Sequence, residues 1–551
     1  MLEDARRLAS GSKLEADMIV VGAGAAGIAV ALDMIGTRAR VLLLEGGDID
    51  FDRTEQALYR GENVGLRYEP LDLCRVKGLG GSTCGKGWAG FCKALSALDF
   101  EQRPWVPLSG WPLGRDDLDP YYARAWTLLS LPQDWDSSAH RTANFAGGLA
   151  IGDGDCENEL CVMSPSPHIG AVAEQRLRMA ANVRVILHAN VTEIEVNERA
   201  DRVTGVRIAT LEGSHLTARA PLVVLATGGI ENARLLLLSD RVQREGLGNG
   251  SGFVGRCFMD HPRFTWGQIR NVAEPQRLTR YDPTAALTYS RNAATRALDE
   301  LFGVGVSVSE QAQRREQILG SRSWIVPVGP NGARAGAREL REIALWLRRG
   351  RLPSDLALRT RAVLADLPNA IQAVTAHLRA LAGKSTHWQI QTIMEPTPNP
   401  DSRVTLTAEI DRLGLRKSRL NWRLDALVER SLARTQELIV GDLTRAGLDC
   451  AIVGSGGKAA NQTIADPRWV WHHMGTTRMS IDPSLGVVDE TCRVHGIDNL
   501  FIAGSSVFPT VGNDMPTATI VALAYRLAHT LKQRLAEPAA APAVVRSEKV
   551  A

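Results

Sequence analysis

The chain has 551 residues, 64 basic and 61 acidic, for a formal charge of +3. That length exceeds what one hydrophobic core supports, so two packed domains or one large domain with insertions are expected. The near-neutral balance and the lack of a long like-charge run give no electrostatic case for nucleic acid as partner, leaving a small-molecule substrate. Eight cysteines with no CxxC read as reduced thiols of a cytoplasmic protein, a local Cys156–Cys161 bridge being the minor alternative. No run of eighteen uninterrupted apolar residues predicts a transmembrane segment, and no apolar region follows the N-terminal Arg pair as a signal peptide requires.

In chain order, Met18 to Val21 is a β-branched apolar run followed by glycines, an Ala-rich helix from Ala25 to Ile35 and a second apolar run from Arg40 to Leu44. This is a βαβ pattern. A Trp/Pro-rich connector lies between Leu95 and Leu131. Val183 to Val196 and Arg202 to Thr210 alternate like a hairpin region, and Leu222 to Ala226 is an apolar strand entering ATGG. From about Pro262 to Asn461 the pattern changes to scattered strands, such as Trp388 to Met394, around a helical section, Ala337 to Ala382. That section is basic and amphipathic; docking on a membrane or partner is one reading, and the solvated faces of ordinary surface helices are the plainer one. Asn499 to Ala503 is another apolar strand, and Pro516 starts an apolar helix running to Gln533.

Gly22-Ala23-Gly24-Ala25-Ala26-Gly27 is GxGxxG set between strand and helix, where glycines permit a tight turn, close pyrophosphate approach and helix-on-strand packing. Glu45 ends the second strand at about the ~20-residue offset from which a carboxylate accepts hydrogen bonds from ribose hydroxyls, which favours FAD or NAD over NADP. A second glycine-rich loop, Gly78 to Thr83, offers backbone N–H groups at Gly80, Gly81 and Ser82 to another segment of a long cofactor.

Taken with ATGGIENARLLL (Ala226 to Leu237), MDHP (Met259 to Pro262), PNPDSRVTL (Pro398 to Leu406), WHHMGTTRM (Trp471 to Met479) and VHGIDNLFIAGSSVFPT (Val494 to Thr510), these loops resemble the glucose-methanol-choline (GMC) oxidoreductases, as in their bacterial members. The resemblance covers residues 14 to 533. It implies an α/β fold: a Rossmann-like FAD-binding domain of discontinuous segments (1–95, 165–260 and 462–535), a lid or connector (96–164), an α+β substrate-binding domain with a large, mostly antiparallel sheet (261–461), and a flexible tail (536–551). It adds Val191, Ala226, Gly504 and Ser505 to the expected FAD contacts. The family's catalytic histidine falls on His472, as the base that takes a hydroxyl proton while hydride passes to flavin N5; His473 is expected to point the other way. The N-terminus of the helix at Pro516 and Thr517 is expected at the flavin's electron-rich edge.

The family's second polar group, Asn or His just before that proline, is Met515 here, and a thioether is no donor. Asn513 or Asp514 is expected to swing inward in its place, Asn513 ahead. The Cys84 to Trp88 stretch carries no histidine for covalent attachment, so FAD is expected to be noncovalent, with a flavin-linked Cys84 the lesser alternative. The leading expectation is oxidation of a polyol, sugar-like or secondary-metabolite alcohol, with O2 or another carrier as electron acceptor. The alternative, favoured by Met515, is a redox-neutral lyase, isomerase or cyclase; a binding protein with a relic site comes third.

Overall fold

The computed structural model describes residues 1–84, 90–152, 154–283, 301–328, 335–348, 352, 356–381, 385, 387–452, 467–513 and 515–536. The runs Met18–Val21, Val41–Leu44, Leu222–Leu225 and Leu500–Ile502 are apolar throughout and fully buried, as strands covered on both faces must be. With Leu2–Asp4 and Val183–Leu187 they form a six-stranded sheet whose order is 2–4, 183–187, 41–44, 18–21, 222–225, 500–502, every pairing parallel. Helix Ala25–Asp33 packs on helix Thr517–Ala536. The strand order reverses at Met18–Val21, so the crevice for a ligand lies beyond its carboxyl end, where Gly22 begins the glycine turn.

A seven-stranded sheet forms the second body, in the order 449–452, 263–270, 388–394, 321–327, 302–308, 156–163, 91–92, with every pairing antiparallel. It includes Cys156–Met163 and Phe91–Cys92, which the sequence reading assigns to the connector and to the first domain. Their partners lie 70 or more residues away, so nothing local in the sequence announces the pairing. The expected hairpin is Asn190–Val196 with Val203–Ala209; Val183–Leu187 breaks away from it at His188, whose φ of +54° turns the chain, and enters the parallel sheet.

The section read as one helical block is three helices, Ala335–Arg348, Leu356–Ala365 and Leu367–Leu381. None of the eight cysteines is disulfide-bonded. Among the described residues no helix is long and apolar enough to cross a membrane.

Candidate active site

One cavity of about 480 Å³ takes in the carboxyl ends of the parallel strands and the inner face of the seven-stranded sheet. Gly22, Gly24, Ala25, Ala26, Glu45, Gly80, Gly81, Ser82, Val191, Ala226, Gly504, Ser505, Pro516 and Thr517 all line it, as do His472 and Met515. Gly27 does not. Its role is packing: a Cβ there would sit 1.9 Å from the Gly22 carbonyl oxygen. Gly22 itself has φ +100°, which L side chains avoid, and a Cβ on it would lie 2.6 Å from the Ala226 carbonyl oxygen.

Glu45 is pinned beneath the turn, accepting from the Ala23 and Gly47 amides at 2.8 and 2.9 Å. The second glycine loop closes on the first, with the Gly80 amide donating to the Ala23 carbonyl at 2.8 Å. Charged groups join this end, Glu231 and Arg234 from the ATGGIENARLLL stretch and Arg75 and Asp411 from outside the quoted motifs. Arg75 and Arg234 pair with Glu231 at 2.8 and 3.2 Å, and Arg234 also with Asp411 at 2.7 Å. Burial would raise the Glu231 carboxyl, yet Arg75 and Arg234 outweigh it and hold the group below its ordinary range. A glycine turn open to close approach, a carboxylate at the second strand's end and a helix N-terminus at the far end share one cavity, which is the donor set an elongated dinucleotide such as FAD requires.

The reacting end is built by two facing segments. Met259 and Met474 exchange both backbone hydrogen bonds at 3.0 Å, and Arg263 and Arg468 do the same at 2.7 and 2.9 Å. Between those rungs the second segment bulges at Trp471, φ +66°. Asp260 fills the bulge: its two oxygens accept from the Trp471 and His472 amides at 3.0 and 2.9 Å, and from the Tyr68 hydroxyl. The MDHP motif thereby orients His472 through its backbone. His473 turns to Tyr68, its Nε2 lying 3.0 Å from that hydroxyl.

His472 Nδ1 lies 3.0 Å from His261 Nδ1, and His261 Nε2 lies 3.1 Å from the Gly512 carbonyl oxygen. A carbonyl only accepts, so His261 Nε2 carries the proton. Burial drives the His261 pKa well below its ordinary value, so the ring is neutral and Nδ1 is its acceptor. His472 Nδ1 must then donate, which makes Nε2 its basic nitrogen. Burial lowers His472 to about 4 against an opposing pull from Asp260, so it too is neutral near pH 7. Asp260, His261 and His472 also approach one another closely enough to suggest a metal ion. Each Nδ1, however, is committed to the histidine pair and both Asp260 oxygens to backbone amides, so the cluster is read as a hydrogen-bonded relay.

Met515 adopts φ +59°, a left-handed conformation costing roughly 1–2 kcal/mol in a residue of its type. Its side chain packs in an apolar cluster with Trp324, Ile393, Val326 and Phe91. Asn513, expected to turn inward, does not line the cavity. Its amide donates to Glu159 and to the Ser321 carbonyl at 3.1 and 3.2 Å, and its oxygen accepts from Lys93. Glu159 and Ser321 lie in the seven-stranded sheet and Lys93 just after its strand Phe91–Cys92, outside the reach of local sequence reasoning. Asp514 lies outside the described residues, as do residues 85–89 of the loop after Cys84.

Known proteins agree with this architecture. Residues 17–245 match a family model described as FAD dependent oxidoreductase, and residues 398–524 match the GMC oxidoreductase model. Paromamine 6'-oxidase of Streptomyces fradiae is 25% identical, with 93% of this chain and 90% of the relative aligned. The 2-methyl-1,2-propanediol dehydrogenase of Mycolicibacterium austroafricanum is 22% identical over 95% of this chain and 96% of its own. The crystal structure of a formate oxidase superposes with a TM-score of 0.56 at 17% identity, over 96% of this chain and 99% of that one.

Proposed function

For a chain that belongs to the GMC oxidoreductases, FAD-dependent enzymes acting on alcohols, we propose that His472 Nε2 is the base that takes the proton of a substrate CH–OH group. The observation that carries this reading is the Gly512–His261–His472 chain of hydrogen bonds, which fixes the proton of the buried, neutral His472 on the nitrogen turned toward His261. FAD, when bound, supplies the hydride acceptor. The Asp260 clamp on two consecutive amides restricts rotation of the His472 backbone, so the imidazole is positioned before substrate arrives. The N-terminus of helix Thr517–Ala536 faces the same cavity and favours negative charge there, by about 0.3–2 kcal/mol depending on burial.

Part of the cavity wall is apolar: Met515, Trp324 and Ile393 offer a substrate carbon skeleton contact area and almost no hydrogen bonding. Among the expected substrate classes this favours a secondary-metabolite alcohol with an apolar body over a polyol, whose extra hydroxyls would lose water without gaining partners. Anaerobic titration of the purified flavoprotein with aryl or alkyl carbinols is expected to bleach the flavin, and His472→Ala to slow the bleaching by about 10²–10⁴-fold while retaining FAD. Met515 also supports a redox-neutral reading, since it withdraws the donor expected at a developing alkoxide. Product formation from an alcohol without bleaching would select that reading.

A further inference from the structure

Helix Leu367–Leu381 is amphipathic in the unexpected sense. Its buried positions are Asn369, Ala370 and Ala376, whereas Leu367, Ile371, Val374 and Leu378 are exposed by 45%, 56%, 49% and 59%. Their spacing of four, three and four residues places them in one stripe along the helix. An ordinary surface helix turns such a stripe inward. The neighbouring helices add Leu347, Leu358 and Leu364, exposed by 56%, 63% and 65%. Of seventeen exposed large apolar residues among those described, eight fall between residues 347 and 378. A concentration of exposed apolar side chains of that kind, with one stripe along a helix, marks a docking site.

Charge identifies the occupant. Residues 334–384 carry ten basic and four acidic side chains, a surplus of six positive charges in a chain whose total is +3, so the remainder is net negative. Two of the acidic groups are turned to internal use. Glu339 pairs with Arg359 and Arg468 at 3.1 and 3.0 Å, and Asp366 accepts from the Gly336 amide at 2.9 Å. Arg361 and Arg379 remain exposed beside the leucines. Apolar side chains flanked by arginines on short helices that cannot span a bilayer fit the interface of an anionic membrane, with the stripe in the acyl boundary and guanidinium groups at the phosphates.

The same cap reaches the reaction site. Helix Ala335–Arg348 sets Trp346 against Trp471 at a tilt of 42°, ring centroids 5.4 Å apart, immediately before the base, and its Glu342 lines the cavity. We propose that the three helices spanning residues 335–381 are a monotopic docking surface that seats the protein on an anionic lipid bilayer.

The test is cosedimentation of the FAD-loaded full chain with phosphatidylcholine vesicles, with and without phosphatidylglycerol. The expected result is binding to the anionic vesicles only, weakened by added salt. Ile371→Glu combined with Leu378→Glu should reduce partitioning by at least about tenfold. Arg361→Glu combined with Arg379→Glu should reduce it by at least about tenfold as well, each arginine near the surface being worth about fivefold. Both double variants alter exposed side chains, so flavin absorbance and turnover of a water-soluble alcohol should match the parent. No binding, equal binding to neutral and anionic vesicles, or a dimer in solution that Ile371→Glu dissociates would each overturn the proposal, the last by assigning the stripe to a second copy of the chain.

Discussion

The nucleotide end of the cavity is made chiefly of backbone: glycines at Gly22, Gly24, Gly80 and Gly81, strand ends and a helix terminus, with Glu45 as the one acidic side chain the pattern predicts. The reacting end is made of side chains borrowed from distant segments, His261 and His472 from facing segments 211 residues apart and Met515 against Trp324 and Ile393. A backbone site tolerates almost no added atoms, whereas a side-chain site is adjustable. Damage should therefore be all-or-none at the first end and graded at the second.

The largest effect should follow Gly27→Ala. The new Cβ meets a backbone carbonyl at 1.9 Å, which cannot move aside cheaply, so the variant is expected to purify without flavin absorbance. Wild-type FAD content would remove the contrast between the two ends. Next, His472→Ala should keep its FAD and lose about 10²–10⁴-fold in kcat, read by stopped-flow reduction.

His261→Phe removes the acceptor that fixes the His472 tautomer while leaving the base in place. A fall of roughly tenfold to a hundredfold in kcat with little change in KM is expected, and His261→Gln should restore part of it through its side-chain carbonyl. An unchanged kcat in His261→Phe would remove His261 from the mechanism.

The pH profile sharpens the comparison further. Because burial lowers His472 to about 4, the base is active above that value, and kcat/KM should fall only as pH drops through about 4, not near the ordinary histidine value. Stability moves earlier. His261, His472 and His473 are neutral in the fold with lowered pKa values, His473 to about 3, but protonate near 6.5 when unfolded. Their contribution is whole above pH 6.5 and is lost as pH falls from there towards 4. Each such histidine removes about 1.4 kcal/mol per pH unit, so His473→Gln should flatten the pH dependence of Tm in that window by one proton.

The smallest effect is expected from Met515→Asn. Asparagine tolerates φ +59° better than methionine, so Tm should rise slightly, and its amide should improve kcat/KM for hydroxyl-rich alcohols relative to apolar ones by a few-fold. An unchanged substrate preference would detach Met515 from specificity.

The βαβ unit, the GxGxxG turn with Glu45, strand Trp388–Met394 and the helix after Pro516 were legible in the sequence because each follows from neighbours a few residues apart: periodicity, turn chemistry and a fixed offset. His472 was reached through resemblance to a family; adjacent histidines by themselves carry no assignment. The pairing of Phe91–Cys92 and Cys156–Met163 into the large sheet, the diversion of Asn513 to Lys93 and Glu159, and the union of Asp260 and His261 with Trp471 and His472 were decided only by tertiary structure. The physical reason is one of range. Backbone conformation and amphipathic period are local properties written in consecutive residues, whereas a hydrogen bond between two imidazoles depends on which strands the fold brings face to face.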